Sequence, residues 1–400
     1  MTMRRILSNS LREGRWFHCR RHNYCSSRIL PMITTSSSNN RRISSDAENY
    51  SNNSDTQICG DMKIFNTMTE GLESLPQTKK GLLFYTCGPT VYAPAHLGHA
   101  RTYVCLDILR RVMIANSNSS STSSRRKGRR KRQDVSTETD STAPNNDDNT
   151  RVPAPLFVLN ITDVDDKILA AAAAASTGND GRDSDSNGGD PVQLARKYER
   201  EFWRDWDALN CLRPNIVTRV TEHAESHIVP FIERLVEKGM AYEYVDGVYF
   251  DVSAYNKKMN HLTKYGKLAP PAAAHGTDDI LRKANINNNN NDDDDDDADD
   301  IKNYNPANQK RDVRDFVLWK KRKGQEALYF ASPWGDGRPG WHIECSAMIE
   351  AIQEKFRDSH EFFAHAGGID LKFPHHTNEI AQSEAYLGVG EWIPHWVHTG

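Results

Sequence analysis

The sequence predicts an α/β chain built on a Rossmann-like parallel sheet, with an α+β segment inserted into it. Three observations predict it. Gly81-Leu-Leu-Phe-Tyr-Thr-Cys-Gly88 is a short apolar run closed by Gly and Pro, so a buried strand. A helical period starts at His96, and the strand-then-helix order returns with Pro155-Leu-Phe-Val-Leu-Asn-Ile161 and a polyalanine stretch. Beyond these, a helix opens at Thr221 and ends at Gly239, a suitable C-terminal cap. Val245-Asp246-Gly247-Val248 then reads as a turn between Tyr- and Val-rich strands.

Taken in order, residues 1–60 are a polar leader. It is rich in Arg and Ser, and Glu13 is the only carboxylate in its first forty-two residues. It lacks the apolar core of a secretory signal and matches an organelle transit peptide, with the mitochondrion the simpler expectation and a plastid the other. An internal start at Met32 would give a cytosolic form as well. Ordered chain begins at Lys63-Ile-Phe-Asn-Thr-Met-Thr69. In the helix from His96, Leu97, Ala100, Val104, Ile108 and Val112 recur at three and four and form one apolar face. The helix is expected to stop in the low-complexity segment 116–150, whose RRKGRRKR cluster reads as a solvated surface or, less simply, as a contact for RNA phosphates. A second polar insertion covers 176–190. Leu194, Tyr198, Phe202 and Leu209 then mark another amphipathic helix. The inserted α+β segment spans about 220–335 and carries a third run, 283–312, whose acidic stretch would repel phosphate. The rest of residues 61–400 forms one catalytic domain.

The 400 residues have a formal net charge of -3 and are 37% hydrophobic. The apolar deficit sits in the leader and the three insertions, so the remainder suffices for a large core. No apolar run approaches a membrane span, so no membrane partner is expected. The seven cysteines (Cys19, Cys25, Cys59, Cys87, Cys105, Cys211, Cys345) are scattered and form no CxxC pair. They read as free thiols, or as single ligands brought from far apart.

Four stretches carry chemistry. Gly88-Pro-Thr-Val-Tyr-Ala-Pro-Ala-His-Leu-Gly-His-Ala-Arg101 opens a helix with HLGH. A helix N-terminus suits phosphate, Gly98 lets a nucleotide approach, and His96 and His99 can donate to phosphate oxygens; an ordinary helix start with surface histidines is the plainer reading. In Phe373-Pro-His-His-Thr-Asn-Glu379, His375 and Glu379 share a helix face and suit zinc, or else form a polar first turn. In Gly337-Arg-Pro-Gly-Trp-His-Ile-Glu-Cys-Ser-Ala-Met348, Cys345 is a core thiol, a nucleophile or a distant ligand. In Asn160-Ile-Thr-Asp-Val-Asp-Asp-Lys167, the aspartates resemble a magnesium or calcium loop but lack the rest of an EF-hand, so capping by Asp163 and Asp165 is favoured.

Together the motifs resemble cysteinyl-tRNA synthetase, a class I aminoacyl-tRNA synthetase. They are KIFNT at 63–67, YTCGPTVY at 85–92, HLGHART at 96–102, NITDVDDKI at 160–168, DFVLWK at 315–320, SPWGDGRPGWHIECSAM at 332–348 and HAGGIDLKFPHHTNEIAQSEA at 365–385. The resemblance implies a class I synthetase catalytic core. It implies that His96, Gly98 and His99 hold ATP, with His96 and His99 catalytic, and that Asp370 also belongs to the ATP site. Thr162, Trp341 and His365 would line the amino-acid pocket. Cys87, Cys345, His375 and Glu379 would hold one zinc ion that binds the substrate thiolate, and Mg²⁺ would accompany ATP. The implied partners are ATP, L-cysteine and tRNA-Cys, and the implied enzyme is a monomer. Cysteine would first form an adenylate and then be transferred to tRNA-Cys. A soft metal would select sulfur over the hydroxyl of serine.

Two departures stand out. Thr377 replaces an acid usual in the family. No KMSKS loop or helical anticodon domain follows HWVHTG, and KKRKG at 320–324 is no substitute. The expectation is a truncated chain that binds zinc, activates cysteine poorly and selects tRNA-Cys poorly. The alternatives are a zinc- and cysteine-binding module without full activity, and a mycothiol-type cysteine ligase.

Overall fold

The computed structural model describes residues 33–34, 62–76, 78–129, 153–177, 189–270, 310–324 and 326–399, with side chains of the first helix described as far as residue 115. The rest of the leader, the side chains of the RRKGRRKR cluster, residues 178–188 and the acidic run lie outside the described residues. β1 (Ile33–Thr34) pairs antiparallel with β2 (Lys63–Asn66), and β3 (Gly71–Ser74) completes a three-stranded ribbon.

The main sheet starts with β4 (Gly81–Thr86), β5 (Leu156–Ile161) and β6 (Ile216–Arg219). The insertion carries β7 (Ala241–Glu243), β8 (Gly247–Phe250), β9 (Phe316–Lys321) and β10 (Gly337–Pro339), an antiparallel sheet in the order β10-β9-β8-β7. β11 (His360–Gly368) and β12 (His395–Thr399) return to the first sheet, whose order is β12-β11-β4-β5-β6 with every pair parallel. This is the Rossmann-like class expected. Parallel strands are covered on both faces, which is why their sequences are nearly unbroken apolar runs. Phe84 packs with Leu106, Leu109 and Met113 on one face. Leu83 and Tyr85, pointing the other way, pack with Ile349 and Ile352. After β6 the chain crosses back beyond β4 to β11. The order therefore reverses between β4 and β11, and a crevice opens at their carboxyl ends.

α1 (Leu97–Arg129) covers the first face and differs from expectation in two ways. Its buried stripe is Ala100, Tyr103, Leu106, Leu109 and Met113, whereas Leu97 is 68% and Ile108 51% exposed. Both stripes repeat at three and four; the sheet beneath, not the period, chooses between them. The helix also runs past residue 116. No proline interrupts it, and Gly128 comes only at its end, so propagation from an established helix continues through the Ser-rich stretch.

α2 (Asp166–Thr177) follows β5, and α3 (Pro191–Ala208) is capped by Asp190, which accepts from Val192 N at 2.9 Å ahead of Pro191 at the first helical turn. α4 (Val220–His223) passes through a π-helical turn, Ala224–Ile228, into α5 (Val229–Glu237). The aspartates of NITDVDDK are used as caps and as an anchor. Asp163 accepts from Thr221 N at 3.0 Å and Thr221 Oγ1 at 2.5 Å, capping α4 from a distance. Asp165 accepts from Lys167 N at 2.7 Å at the start of α2. Asp166 binds Lys320 at 2.5 Å and also Arg338, tying the insertion to the main sheet. The hairpin reverses at Tyr244–Asp246, and Gly247 already belongs to β8, close against the carbonyl of Trp319.

α6 (Val252–Lys258) completes the insertion, and α7 (Trp341–Phe356) and α8 (His375–Leu387) cover the second face of the main sheet. α8 is polar, yet every residue from His375 to Ala385 is buried. Buried polar groups must find partners, so this helix marks where the structure concentrates its chemistry. No described helix is long and apolar enough to cross a membrane.

Candidate active site and metal centre

The crevice between β4 and β11 collects residues from four elements. Cys87 follows β4, and its N–H donates to Ala366 O on β11 at 2.9 Å. Cys345 comes from α7, and His375 and Glu379 from one face of α8. Their four ligand atoms lie within 4.8 Å of one another, and all four residues are buried. Cys87 Sγ is 3.7 Å from Cys345 Sγ and 3.7 Å from His375 Nε2. Glu379 Oε1 is 2.9 Å from His375 Nε2 but has no well-directed donor. Two thiols, an imidazole and an orphaned carboxylate oxygen in one dry pocket form a donor set suited to zinc. A second set, Cys87, His365, His376 and Glu379, overlaps the first. The set with two sulfurs fits a borderline-soft cation better.

The electrostatics of the two-thiol set fix which protons a metal must displace. The hydrogen bond from Cys87 brings the Cys345 thiol down to about 6 despite burial. Burial, then the bond to Cys345, pushes the Cys87 thiol well up. Burial disfavours the His375 imidazolium, but Glu379 and Cys345 outweigh it and raise the group to about 10. Burial opposes the Glu379 carboxylate too, yet His365 and His375 hold it at about 2. At pH 7, Cys345 and Glu379 are thus ready to ligate, while Cys87 and His375 each carry a proton that a metal must displace. Zinc binding at pH 7 is expected to release about two protons per ion, so affinity should rise ~100-fold per pH unit there. Calorimetry in buffers of different ionisation enthalpy checks this; release of less than one proton would rule the quartet out as the ligand set.

Further histidines support the quartet. His342 Nδ1 lies 3.2 Å from His375 Nδ1, fixing the ring whose Nε2 faces the thiols. His376 Nδ1 is 2.7 Å from His398 Nε2, and His398 Nδ1 is 2.7 Å from Thr67 Oγ1. Thr67 gives its only proton to Trp396 O at 2.6 Å. It must therefore accept from His398, which must accept from His376. His376 is left with a lone pair on Nε2, 3.4 Å from Cys87 Sγ. Burial and the neighbouring His365 keep both rings neutral, His376 far below its ordinary range and His398 down to about 3. The adjacent pair in FPHH and the His in HWVHTG are the signals that could have found them.

The other expected site residues surround this centre. His365 Nε2 bonds Glu379 Oε2 at 2.9 Å. Trp341 stacks on His375 with ring centres 4.1 Å apart. Thr162 is buried and donates to Glu344 Oε2 at 3.3 Å. Asp370 is exposed, on the 3₁₀ turn Ile369–Lys372, near enough for its charge to raise the Cys87 thiol, after burial and nearer groups. At the start of α1, the N-terminal N–H groups are not open. His96 Nδ1 accepts from Gly98 N at 3.1 Å and His99 N at 3.4 Å, and the His96 and His99 rings stack at 3.8 Å. A phosphate at these groups must displace His96. His99 leads to Tyr103 at 6.4 Å, whose hydroxyl donates to Cys87 O at 3.3 Å, so both constellations meet at the end of β4.

A family model for the tRNA synthetases class I (C) catalytic domain matches residues 73–119 and 155–400. The chain belongs to this family. A cysteine–tRNA ligase of Pyrococcus horikoshii is 37% identical over 340 residues, 85% of this chain and 54% of the relative. A cytoplasmic cysteine–tRNA ligase of Dictyostelium discoideum is 35% identical over 350 residues, 85% of this chain and 41% of the relative. The chain thus spans about half the length of the curated relatives it matches. A crystal structure of Mycobacterium tuberculosis methionyl-tRNA synthetase covers 80% of the chain and is itself covered to 56%, with a TM-score of 0.39 and 13% identity. In this class I synthetase domain the family match runs from β3 into α1 and again from residue 155 to β12, so the candidate metal quartet and the HLGH start of α1 both lie within it.

Proposed function

We propose that this chain carries the catalytic core of a cysteine–tRNA ligase, which forms cysteinyl-adenylate from cysteine and ATP and passes the cysteinyl group to tRNA-Cys. The observation that carries the reading is the buried Cys87, Cys345, His375, Glu379 quartet at the β4–β11 switch point. The names of the relatives support the same substrates. When bound, zinc supplies a soft centre that prefers a thiolate to an alcohol oxygen. The residues of the chain do the rest. His342 and His376 orient the ligands, and the Trp341 ring covers His375. Thr162, Trp341 and His365 take up the amino acid. The α1 terminus, with His96 and His99, takes the ATP phosphates once His96 swings aside, and Mg²⁺ shares their charge. Catalysis is then mainly alignment of the carboxylate with the α-phosphorus, followed by alignment of the tRNA terminus with the acyl carbon.

The test is exchange of pyrophosphate into ATP by the purified chain. Exchange is expected only with both cysteine and zinc present, and serine is expected to support at least ~1,000-fold less, beyond the roughly 10–200-fold that one-group differences in a pocket usually give. Equal exchange with serine, or exchange indifferent to zinc removal, overturns the assignment.

A further inference from the structure

α8 raises a problem of register. A helix that is apolar on one stripe is oriented by that stripe. α8 is polar on most sides and buried from His375 to Ala385, so apolar packing alone specifies its rotation and axial position weakly. Its N-terminal turn holds His375 and Glu379, whose ligand atoms must be held closely for a metal.

Further along α8, Glu384 is 1% exposed and accepts three hydrogen bonds. Tyr255 Oη and Thr263 Oγ1 each donate to Oε2 at 2.8 Å, and Lys267 Nζ donates to Oε1 at 2.6 Å. All three donors come from the insertion, from α6 and the strap that follows it. Lys267 Nζ also donates to Gly390 O at 2.5 Å, just past the end of α8. Tyr265 Oη, on the same strap, donates to Asn378 Oδ1 at 2.7 Å, next to Glu379. Leu268, 3% exposed, sits in one apolar cluster with Cys87, Cys345 and Ile380. On the side facing α7, Gln382 Nε2 donates to Ser346 Oγ at 2.7 Å and His342 O at 2.5 Å. The strap therefore grips α8 at two points, beside the metal ligands and near the C-terminus.

We propose that Glu384, held by Tyr255, Thr263 and Lys267, is a positioning residue that fixes the register of α8 and so sets the geometry of the metal quartet. The insertion is then more than an appendage on the sheet. It is the part of the chain that holds two of the four ligands in place. Polar contacts buried at a helix surface are best attested as register devices, and their supporting roles around metals are worth a measurable share of affinity.

This inference rests on the zinc reading of the quartet, and the test separates the two. The full chain is loaded with zinc or Co²⁺, and metal affinity, the cobalt ligand-field spectrum and urea stability are compared. Lys267→Met removes one donor without deleting the buried carboxylate. It is expected to weaken zinc about tenfold and to shift the cobalt bands, the lower end of the range for outer-shell partners. Lys267→Arg should restore both. Tyr265→Phe, which cuts the Asn378 contact and leaves Glu384 satisfied, should move both readouts in the same direction, and it decides the matter if Lys267→Met fails to fold. Folded variants with native zinc affinity and native cobalt spectrum overturn the proposal and leave the strap a purely structural contact. If the native chain takes up no zinc, the metal reading itself falls, and this inference falls with it.

Discussion

Cys345→Ala is expected to lower zinc affinity by more than the roughly 10–100-fold that follows loss of an outer-shell partner and, on the proposed function, to remove cysteine binding with it. The substitution deletes one sulfur from a residue 2% exposed. The cavity it leaves should cost on the order of 1 kcal/mol, in line with an average point mutation, so the chain should still fold. What it loses is the thiol already poised as a thiolate, at about 6, and with it half the soft character of the donor set. Chelator competition followed by metal analysis reads the effect directly. Unchanged zinc affinity would mean that Cys87, His365, His376 and Glu379 form the true ligand set. The result therefore chooses between the two quartets as well as testing the first.

Gly88→Ala is the second large effect. Gly88 follows Cys87 at the point where β4 leaves the sheet, and its N–H donates to Asn160 Oδ1 at 2.8 Å. A Cβ there would collide with the backbone carbonyl of Asn160 on β5. Rotating a side chain cannot relieve a backbone clash, so β4 and β5 must part locally. The cost is expected at or above the upper end of the ~1–3 kcal/mol usual for overpacking. The displacement also falls on the residue that presents Cys87. Urea unfolding should show the stability loss, and zinc affinity should fall in the fraction that folds. A variant with native stability would mean that the strands can separate at Asn160 at little cost.

Much of this architecture is legible in the sequence alone. The apolar run ending at Thr86, the second at Ile161 and the cap at Asp165 follow from local rules, because their partners lie nearby or their pattern is one-dimensional, whereas Asp163 caps a helix 58 residues further on. The quartet is different. Spacing alone leaves Cys345 open among three roles, and only the joint resemblance of several motifs puts it beside His375. The residues that escape are those whose role depends on contacts across the chain. The period misplaces the buried stripe of α1 because Ile108 and Leu109 are equally apolar, and only the sheet decides which is covered. His376 and His398 meet across two elements, and Glu384 finds its donors more than a hundred residues away. The self-capping of α1 by His96 is local, but a histidine is an unusual residue for that role, so no pattern in the chain points to it.

The span of the metal centre bears on how the chain is made. Cys87 and His375 are 288 positions apart. At a synthesis rate of about 5–20 residues per second, roughly 15–60 s pass between their appearances on the ribosome. No partial product that stops short of α8 can assemble the quartet. Throughout that interval Cys87 is a thiol without its ligand partners, open to oxidants and to stray metals. Oxidative stress during translation should therefore injure the newborn protein at this cysteine far more readily than the finished one, where the same sulfur is sealed under a helix.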